Sequence, residues 1–500
     1  MAESSTATTK PRPDLAWRSV GILAGLWAAV LIVASAGYGY HRDELYFLAI
    51  GRHPAFGYVD QPPLVPLLAH AIDAMTGHSL VWLRVPSAIA GALIIVVTAL
   101  IAREFGASRT GQLVAAAAMG TTGILIGASH LMSTTPFDLL AWTVLTWLIV
   151  RAISDGGRWW VLAGLAAGVS LEIKTLPAFL LVAVLVGLIV AGPREVLTSR
   201  SLWLGSAIAL ALWAPNLIWE ATHHWPQLKL SASIASGKSG SSQPRALFVP
   251  FQFLLVSPPL APVWIAGLWR LARDPRLQMW RCLPVAYVVL VVIFIATGGK
   301  PYYLCGLYPA LFAAGAEPTL RWVRAGRSLR RTVLTAAVVL SAAVSAVVSL
   351  PVIPSSALHD TPVLAMNYDA GEQIGWHRFV AIVGAEYDAL PASQRQHAIV
   401  LGENYGEAGA MLRYRPDITH TYSGQNSMWD LGPPPGDTTT AVVIGYDAPQ
   451  LRLWFATVRQ VATIDNGVHL NNDEQGRPVW LCTGPTTLWP SLWPKIRRYA

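Results

Sequence analysis

The stretch Ser79-LVWLRVPSAIAGALIIVVTALI-Ala102 decides the fold class of this chain. It has one charged residue, Arg84, and is long enough to cross a bilayer, which takes about 20 apolar residues in a helix. Similar runs recur along most of the chain, so we predict a polytopic α-helical membrane protein with about eleven transmembrane helices. The runs lie approximately at 17–37, 79–102, 111–128, 136–150, 159–173, 176–192, 201–219, 248–269, 281–297, 302–316 and 332–352.

The composition supports lipid as the surrounding medium. Hydrophobic residues make up 53% of the chain and charged residues only 13%, whereas a soluble domain has about 25% charged residues. The net charge of +8 comes with arginines in short loops between apolar runs, which is the pattern of membrane orientation signals rather than of nucleic-acid binding. We therefore expect membrane lipids, and no nucleic acid, as partners.

The loop charges also predict an orientation. Arginines are dense in every second loop, and cytoplasmic loops carry such an excess. The N-terminus is then inside, the chain after Pro351 is outside, and the protein crosses the cytoplasmic (inner) membrane many times. Residues 1–16 are predicted to be a disordered cytoplasmic tail. The first run ends in Ala34-Ser35-Ala36, which resembles a signal-peptidase site, but the run is long enough to stay as an uncleaved span.

A change in composition divides the chain into domains. Residues 17–352 are the predicted transmembrane domain, with a first outer loop at 37–79, and residues 353–500 are a predicted extracytoplasmic soluble α/β domain. Its β-like runs are 397–401 and 440–444, and its helix-like runs are 406–414 and 449–457. The three cysteines are scattered, so we predict neither a disulfide nor a zinc or redox motif.

The first outer loop contains two adjacent carboxylates, Asp43 and Glu44, directly beyond the first span. A carboxylate at the membrane surface can act as a general base or help to hold a metal ion. The alternative is a helix start, where acidic side chains interact favourably with the helix dipole. Asp60 precedes a double proline that keeps its backbone extended, and it is either a further site residue or a turn aspartate.

Two lysines at the outer ends of predicted spans are candidates for binding phosphate. Lys174 lies between two apolar runs, while Lys300 follows two glycines and stands close to Tyr302, Tyr303 and Tyr308. A lysine charge combined with hydroxyl donors suits a phosphate group. The alternative for both lysines is snorkelling to lipid headgroups.

Asp138, near the start of the fourth run, and His130, also outside, are further candidates. Ionisable groups in a membrane tend to be functional or to face inward, although Asp138 would equally serve as a helix cap. The histidines lack a metal-binding spacing. The metal is therefore unknown, and the use of a divalent cation is left open. The chain has no phosphate-cradling glycine-rich loop and no Gly-x-Ser-x-Gly elbow. An outward-facing enzyme would therefore need a donor delivered through the membrane.

In combination, these segments resemble the GT-C glycosyltransferases, specifically the bacterial family that includes the aminoarabinose transferases and is related to the protein O-mannosyltransferases. Each segment alone is a weak indication of the family. Their order and combination are specific, and they span most of the chain. They are Arg42–Tyr46, Gly57–Leu64, Lys174-Thr175, Pro215–Trp219, Gly298–Tyr303 with Tyr308-Pro309, Asn404–Ala410 and Ser423–Ser427. Glu172 departs from the family pattern, because relatives tend to have small or apolar residues before the lysine that corresponds to Lys174.

The resemblance implies an enzyme with the GT-C fold that moves a sugar from a polyprenyl-phosphate-linked donor to an envelope glycan, lipid or protein, with inversion at the anomeric carbon. Asp43 would be the base, with Glu44 beside it, and Lys174, Lys300 and the three tyrosines would stabilise the leaving phosphate. The cleft candidates are Arg42, Tyr58, Asp60, Asp138, His130, Asn404, Tyr405, Glu407 and Asn426. The alternatives are a transporter or flippase of lipid-linked sugars, although we find no internal repeat, and a non-catalytic binder of them.

Overall fold

The computed structural model describes residues 12–237, 243–326 and 328–499, so most of the predicted tail at 1–16 lies outside the described residues. Each predicted apolar run corresponds to a helix or to a bent pair of helices. The helices are α1 (Trp17–Ala34), α2 (Arg42–Ile50), α3 (Leu64–Met75), α4 (Leu80–Glu104), α5 (Arg109–Gly120), α6 (Gly123–His130), α7 (Thr134–Asp155), α8 (Arg158–Leu171), α9 (Leu176–Ala191), α10 (Arg200–Thr222), α11 (Pro226–Ala235), α12 (Phe248–Leu255), α13 (Ala261–Arg273), α14 (Cys282–Thr297), α15 (Tyr308–Arg324) and α16 (Ser328–Ser349).

Five of these helices are long and apolar enough to cross a membrane: α1, α4, α7, α10 and α16. Counting each bent pair as one span gives up to seven in the described part of the chain, because α5 meets α6 at 61° and the segments containing α12 and α13 meet at 79°. The apolar helices α8, α9 and α14 have only 14, 16 and 16 residues, which is short for a bilayer. The number of eleven spans and the orientation therefore stay predictions.

The breaks in the two bent pairs lie against the same helix, α16. Ser341 and Ser345 donate hydrogen bonds of 2.7 and 3.0 Å to the carbonyl oxygen of Thr121, between α5 and α6. The Ser345 hydroxyl is also 3.5 Å from that of Ser257, between α12 and α13. A polar backbone group inside a bilayer must find its partner within the protein, so these serines stabilise the irregular backbone at the breaks.

The C-terminal part combines short helices with one five-stranded sheet. The helices are α17 (Val363–Met366), α18 (Trp376–Asp388), α19 (Ala392–Arg395), α20 (Tyr405–Tyr414), α21 (Ser427–Asp430), α22 (Ala448–Trp454) and α23 (Trp489–Ile496). The strands are β1 (Ala398–Gly402), β2 (Thr421–Ser423), β3 (Thr440–Ile444), β4 (Phe455–Thr463) and β5 (Pro478–Pro485).

The strand order is β2-β1-β3-β5-β4. Strand β1 runs parallel to β2 and β3, whereas β5 runs antiparallel to β3 and β4. β1 and β3 are buried along their whole length, as parallel strands in the middle of a sheet usually are, and they lie where the sequence predicts strands. The helix predicted at 449–457 is too long, because β4 begins at Phe455 and pairs there with Pro485.

The C-terminal part packs, through α20, on α2 in the segment between α1 and α4. A Cβ atom at Gly406 would lie 2.8 Å from the Cβ of Arg42, and one at Gly409 would lie 3.0 Å from the backbone of Leu45. The two glycines therefore allow the helices to approach closely. Buried side chains of α2, α20 and the sheet, including Tyr46, form one hydrophobic cluster. The segment that contains α2 and the C-terminal part consequently share a core.

Candidate active site

Glu44 fixes the first turn of α2 and is fully buried. Arg84, which is also fully buried, donates from Nε and Nη2 to the two carboxylate oxygens of Glu44, each at 2.8 Å. The amides of Met132 and His41 donate to the same carboxylate at 2.9 and 2.8 Å. Four donors occupy the acceptor positions of a carboxylate. The geometry therefore favours a holding role for Glu44 over the catalytic role that the sequence suggested.

Arg84 joins three separate segments around this carboxylate. Besides Glu44, its guanidinium donates to the carbonyl oxygens of Ser35 at 3.3 Å and Gly39 at 2.9 Å. It also donates to the side-chain oxygen of Gln373 in the C-terminal part, at 3.3 Å. A buried charge is tolerated when it is paired and fully hydrogen-bonded. Arg84 thus anchors the end of α1, the start of α2 and the C-terminal part in one network.

Asp43 is partly exposed, unlike its neighbour Glu44. Its Oδ1 accepts a hydrogen bond of 2.8 Å from the hydroxyl of Tyr405, at the start of α20. The Tyr405 ring lies 4.5 Å from the ring of Tyr46 and 5.3 Å from the guanidinium of Arg42. The Asp43 carboxylate therefore lies where α2 meets the C-terminal part, and it is partly exposed and oriented by one hydrogen bond.

Arg42 connects α2 to the far side of the same junction. Its Nη1 donates to Asp473 at 2.6 Å, to Glu372 at 3.3 Å and to the Tyr368 hydroxyl at 3.3 Å. Charge-assisted bonds of this kind are stronger than neutral ones. Arg42 therefore holds the C-terminal part against α2 next to Asp43.

Lys300 supplies a positive charge to the same region. Burial lowers the pKa of Lys300 to about 8, and the nearby charges of Lys174 and Arg42 act in the same direction. The carboxylates of Asp43 and Asp369 oppose this decrease. Lys300 therefore lies within electrostatic reach of these four charged side chains.

Lys174 lies above two of the predicted tyrosines. Its ammonium is 5.1 Å from the ring centre of Tyr302 and 5.5 Å from that of Tyr303, which is within cation–π range. The Asp138 carboxylate interacts electrostatically with Lys174, and its buried Oδ1 has no hydrogen-bond partner in the described part of the chain. The charge of Asp43 also acts on Tyr302, so this lysine–tyrosine group adjoins the carboxylate junction.

Asp60 stabilises the ring pair of Tyr46 and Tyr405 through a hydrogen bond to Tyr46. It accepts a 2.6 Å hydrogen bond from the Tyr46 hydroxyl, which in turn accepts one of 3.2 Å from the amide of Ser427. Burial raises the pKa of Asp60 to about 7, and the nearby Asp43 charge adds to the shift. Asn426, the residue before Ser427, has a positive φ of 48°. Asp60 is thus close to Asp43 and holds Tyr46 against Tyr405.

Three other predicted site residues are enclosed in the fold. Tyr308 is fully buried in the helical core, and its hydroxyl donates to Gln252 at 3.2 Å. Tyr58 is buried and donates to the carbonyl oxygen of His53 at 3.2 Å. His130 is buried, and neither ring nitrogen has a hydrogen-bond partner among the described residues.

Asn404 and Glu407 form the N-terminal capping box of α20. The amide of Glu407 donates to the Asn404 side chain at 2.9 Å, and the amide of Asn404 donates to the Glu407 carboxylate at 3.1 Å. Burial raises the pKa of Glu407 to about 7. Because Tyr405 is the first residue of this helix, the box positions the tyrosine that contacts Asp43.

No group of three or more histidine, cysteine, aspartate or glutamate side chains within residues 12–237, 243–326 and 328–499 is arranged to hold a metal ion. The carboxylates nearest to Asp43 are instead bound to arginines and hydroxyl groups, as described above. A divalent cation, left open by the sequence, is assigned no residues here.

Sequence reasoning missed two members of the site. Asp369, which lies 3.7 Å from the His41 ring, has no distinguishing neighbours in the sequence. The position of Arg84 could have been used for a prediction, because a single arginine inside an apolar run needs a buried acidic or polar partner. Its partner Glu44 lies 40 residues away, so the pairing required the fold.

A family model described as "Dolichyl-phosphate-mannose-protein mannosyltransferase" matches residues 60–219, less than half of the chain. Among curated proteins, none has a sequence that matches this chain. The crystal structure of apo ArnT from Cupriavidus metallidurans matches 93% of this chain and 98% of its own, with 14% identity and a TM-score of 0.59.

Two further solved structures are similar. ArnT from Cupriavidus metallidurans bound to undecaprenyl phosphate matches 92% of this chain and 97% of its own, with 15% identity and a TM-score of 0.57. The arabinofuranosyltransferase AftD from Mycobacteria matches 95% of this chain but 40% of its own, with 12% identity and a TM-score of 0.50. These findings confirm the resemblance drawn from the sequence motifs: the chain has the fold of the GT-C glycosyltransferases.

Proposed function

We propose that this chain is a membrane glycosyltransferase that moves a sugar, a hexose or a pentose, from a polyprenyl-phosphate-linked donor to a glycan, lipid or protein of the cell envelope. One observation carries the proposal. The partly exposed Asp43 carboxylate, a base candidate, lies within electrostatic reach of Lys300 and of the Lys174–Tyr302 pair. A base for the acceptor and cations for a leaving phosphate are the two groups that such a transfer needs.

The geometry supports a single displacement. Asp43 takes the proton from a hydroxyl group of the acceptor. At the same time, the oxygen of that hydroxyl forms a bond to the anomeric carbon of the donor sugar. The bond between that carbon and the phosphate oxygen breaks, and polyprenyl phosphate leaves with both bonding electrons. Lys300 and Lys174 stabilise the negative charge that grows on the phosphate. Attack from the side opposite the leaving group inverts the anomeric carbon.

The donor class follows from the site and from a relative. The two lysines and the hydroxyls of Tyr302 and Tyr303 form a polar region at the ends of apolar helices, which suits a phosphate carried on a membrane-embedded chain. ArnT, the similar structure described above, binds undecaprenyl phosphate. We place the reaction at the outer face of the cytoplasmic membrane, with the N-terminus inside and the α/β domain outside.

A transfer assay tests this function. The purified full-length protein is incubated with polyprenyl-phosphate-linked hexoses and pentoses and an envelope extract, and the release of polyprenyl phosphate is measured. In parallel, mass spectrometry compares the envelope glycans and lipids of a deletion strain with those of its parent. We expect release with at least one donor and the loss of one sugar from the envelope; no release together with an unchanged envelope would contradict the proposal.

We expect kcat/KM for the donor to fall above pH 8. Lys300 binds phosphate in its charged form, and its pKa is lowered to about 8. The ammonium is therefore present below this pH and is lost as the pH rises through it. Since kcat/KM reports ionisations of the free enzyme, kcat/KM for the donor should fall by about tenfold per pH unit above 8 if only the charged form binds.

The matched variant is Lys300→Arg. A guanidinium stays charged at all accessible pH values, so the variant should lose the fall above pH 8 even if its activity at neutral pH is lower. A fall of equal steepness in both proteins would assign it to another group.

A flippase for lipid-linked sugars is the second candidate, because two spans are broken and their breaks meet at α16. Broken helices are typical of transporters. Movement of a fluorescent polyprenyl-phosphate sugar across proteoliposomes, without acceptor and without sugar release, would favour that reading over transfer.

A further inference from the structure

The end of the helical domain away from Lys300 has a groove that the proposed reaction does not use. It lies between α9, α13 and α14 and has a volume of about 340 Å³. Its walls include Ala191, Ala272, Val285 and Val288. Residue 281 precedes α14 and Lys300 follows it, and a helix of this length separates its ends by about 24 Å.

Arg281 lines this groove and is the one charged side chain that the described residues contribute to its walls. Its Nε atom is buried and has no hydrogen-bond partner within the described residues. Arg270 on the neighbouring helix is different, because it donates to Asp274 and to two carbonyl oxygens. A buried N–H group without an acceptor is unfavourable by the full cost of its desolvation. The residue as a whole is partly exposed, so an acceptor from outside the chain can reach the outer nitrogens of the guanidinium.

The rest of the groove suits a hydrocarbon chain. Val288, in its wall, is 57% exposed, and Val292, one turn further along α14 and beyond the groove, continues the apolar surface at 60% exposure. Beside the groove, α9 and α14 pack closely: a Cβ atom at Gly187 would lie 2.3 Å from the carbonyl oxygen of Cys282. An apolar channel with a guanidinium at one end is complementary to an acyl chain that carries a negatively charged headgroup.

We infer that this groove binds an anionic phospholipid from the leaflet opposite the Asp43 site, with the lipid phosphate on Arg281 and one acyl chain along α14. The inference does not depend on the proposed reaction, because it uses neither the outer loop nor the α/β domain. A lipid bound there joins three helices of the bundle and stabilises their packing by mass action.

The test uses the full-length protein in an uncharged detergent. Short-chain phosphatidylglycerol is added, and the bound lipid is measured by native mass spectrometry alongside the shift in melting temperature. Phosphatidylcholine with the same chains tests the need for net negative charge, and glycerol 3-phosphate tests whether the headgroup alone suffices. We compare wild type with Arg281→Gln, with the groove-filling variant Ala272→Leu, and with Arg276→Gln as the control, an exposed arginine that does not line the groove.

Phosphatidylglycerol should bind and stabilise the wild type and Arg276→Gln. Arg281→Gln should bind about tenfold more weakly, as expected for the loss of a charge-assisted hydrogen bond, and Ala272→Leu should lose binding although its charge is intact. Equal binding to Arg281→Gln and wild type would overturn the inference. Equal binding of phosphatidylcholine, or stabilisation by glycerol 3-phosphate alone, would also overturn it, because the first points to unspecific lipid and the second to a free phosphate site.

Discussion

Asp43→Asn should lower kcat for sugar transfer by about 10²- to 10⁴-fold, the usual contribution of a general base. Asparagine has the same shape, and its amide oxygen can still accept the hydrogen bond that Tyr405 donates to Asp43. It cannot take a proton from the acceptor. The measurement is the rate of polyprenyl phosphate release, together with the dissociation constant of the donor, which should change by no more than a few-fold.

Two further variants serve as a control and as a test of the hydrogen bond to Asp43. Asp360→Asn removes an exposed carboxylate that pairs with its neighbour His359 and should leave the rate unchanged. Tyr405→Phe removes only the hydrogen bond to Asp43, so it should give an intermediate rate and a shifted pH profile. Transfer at the wild-type rate by Asp43→Asn would remove the base from the mechanism, whereas lost donor binding would give Asp43 a binding role instead.

Arg84→Met should destabilise the protein by about 3–5 kcal/mol, because it leaves the fully buried Glu44 carboxylate without its cation. Methionine fills much of the same volume, so a cavity is not the main cause. The change also frees the carbonyl oxygens of Ser35 and Gly39. Thermal unfolding in one detergent, followed by tryptophan fluorescence, measures the loss.

The double variant Arg84→Met with Glu44→Gln is the informative partner. Removing both charges of a buried pair is much less harmful than removing one, so the double variant should be more stable than Arg84→Met alone. The difference measures the coupling between the two side chains. If the single variant unfolds at the wild-type temperature, the network around Glu44 does not hold the outer loop.

The helical part could be predicted because hydropathy is a local property. Each apolar run is helical, but the breaks at Thr121 and Ser257 were not predicted, since hydropathy continues across both. The serine that contacts Thr121 most closely lies 220 residues further along the chain. A pattern within one run contains no information about such a partner, and so neither the bends nor the number of true spans follows from it.

The candidate residues could be chosen from the sequence by type, but their surroundings could not be predicted. Asp43 and Glu44 are equivalent in sequence, and only the fold separates them: Arg84 buries one, while the other meets Tyr405. Similarly, Tyr302 and Tyr308 belong to one motif, yet Tyr302 lies beside Lys174 and Tyr308 packs in the core. Burial and distant partners, which the sequence does not encode locally, decide these roles.

The contact between Tyr405 and Asp43 spans 362 residues and has a consequence for biosynthesis. At 5–20 residues per second, the ribosome needs roughly 20–70 s to make that length of chain. During this interval Glu44 can already pair with Arg84, which follows after 40 residues, but α20 does not yet exist. The close fit of Gly406 and Gly409 on α2 is therefore completed only after the C-terminal part has been synthesised. Until then, a nascent chain has the Asp43 carboxylate without the Tyr405 hydroxyl that orients it.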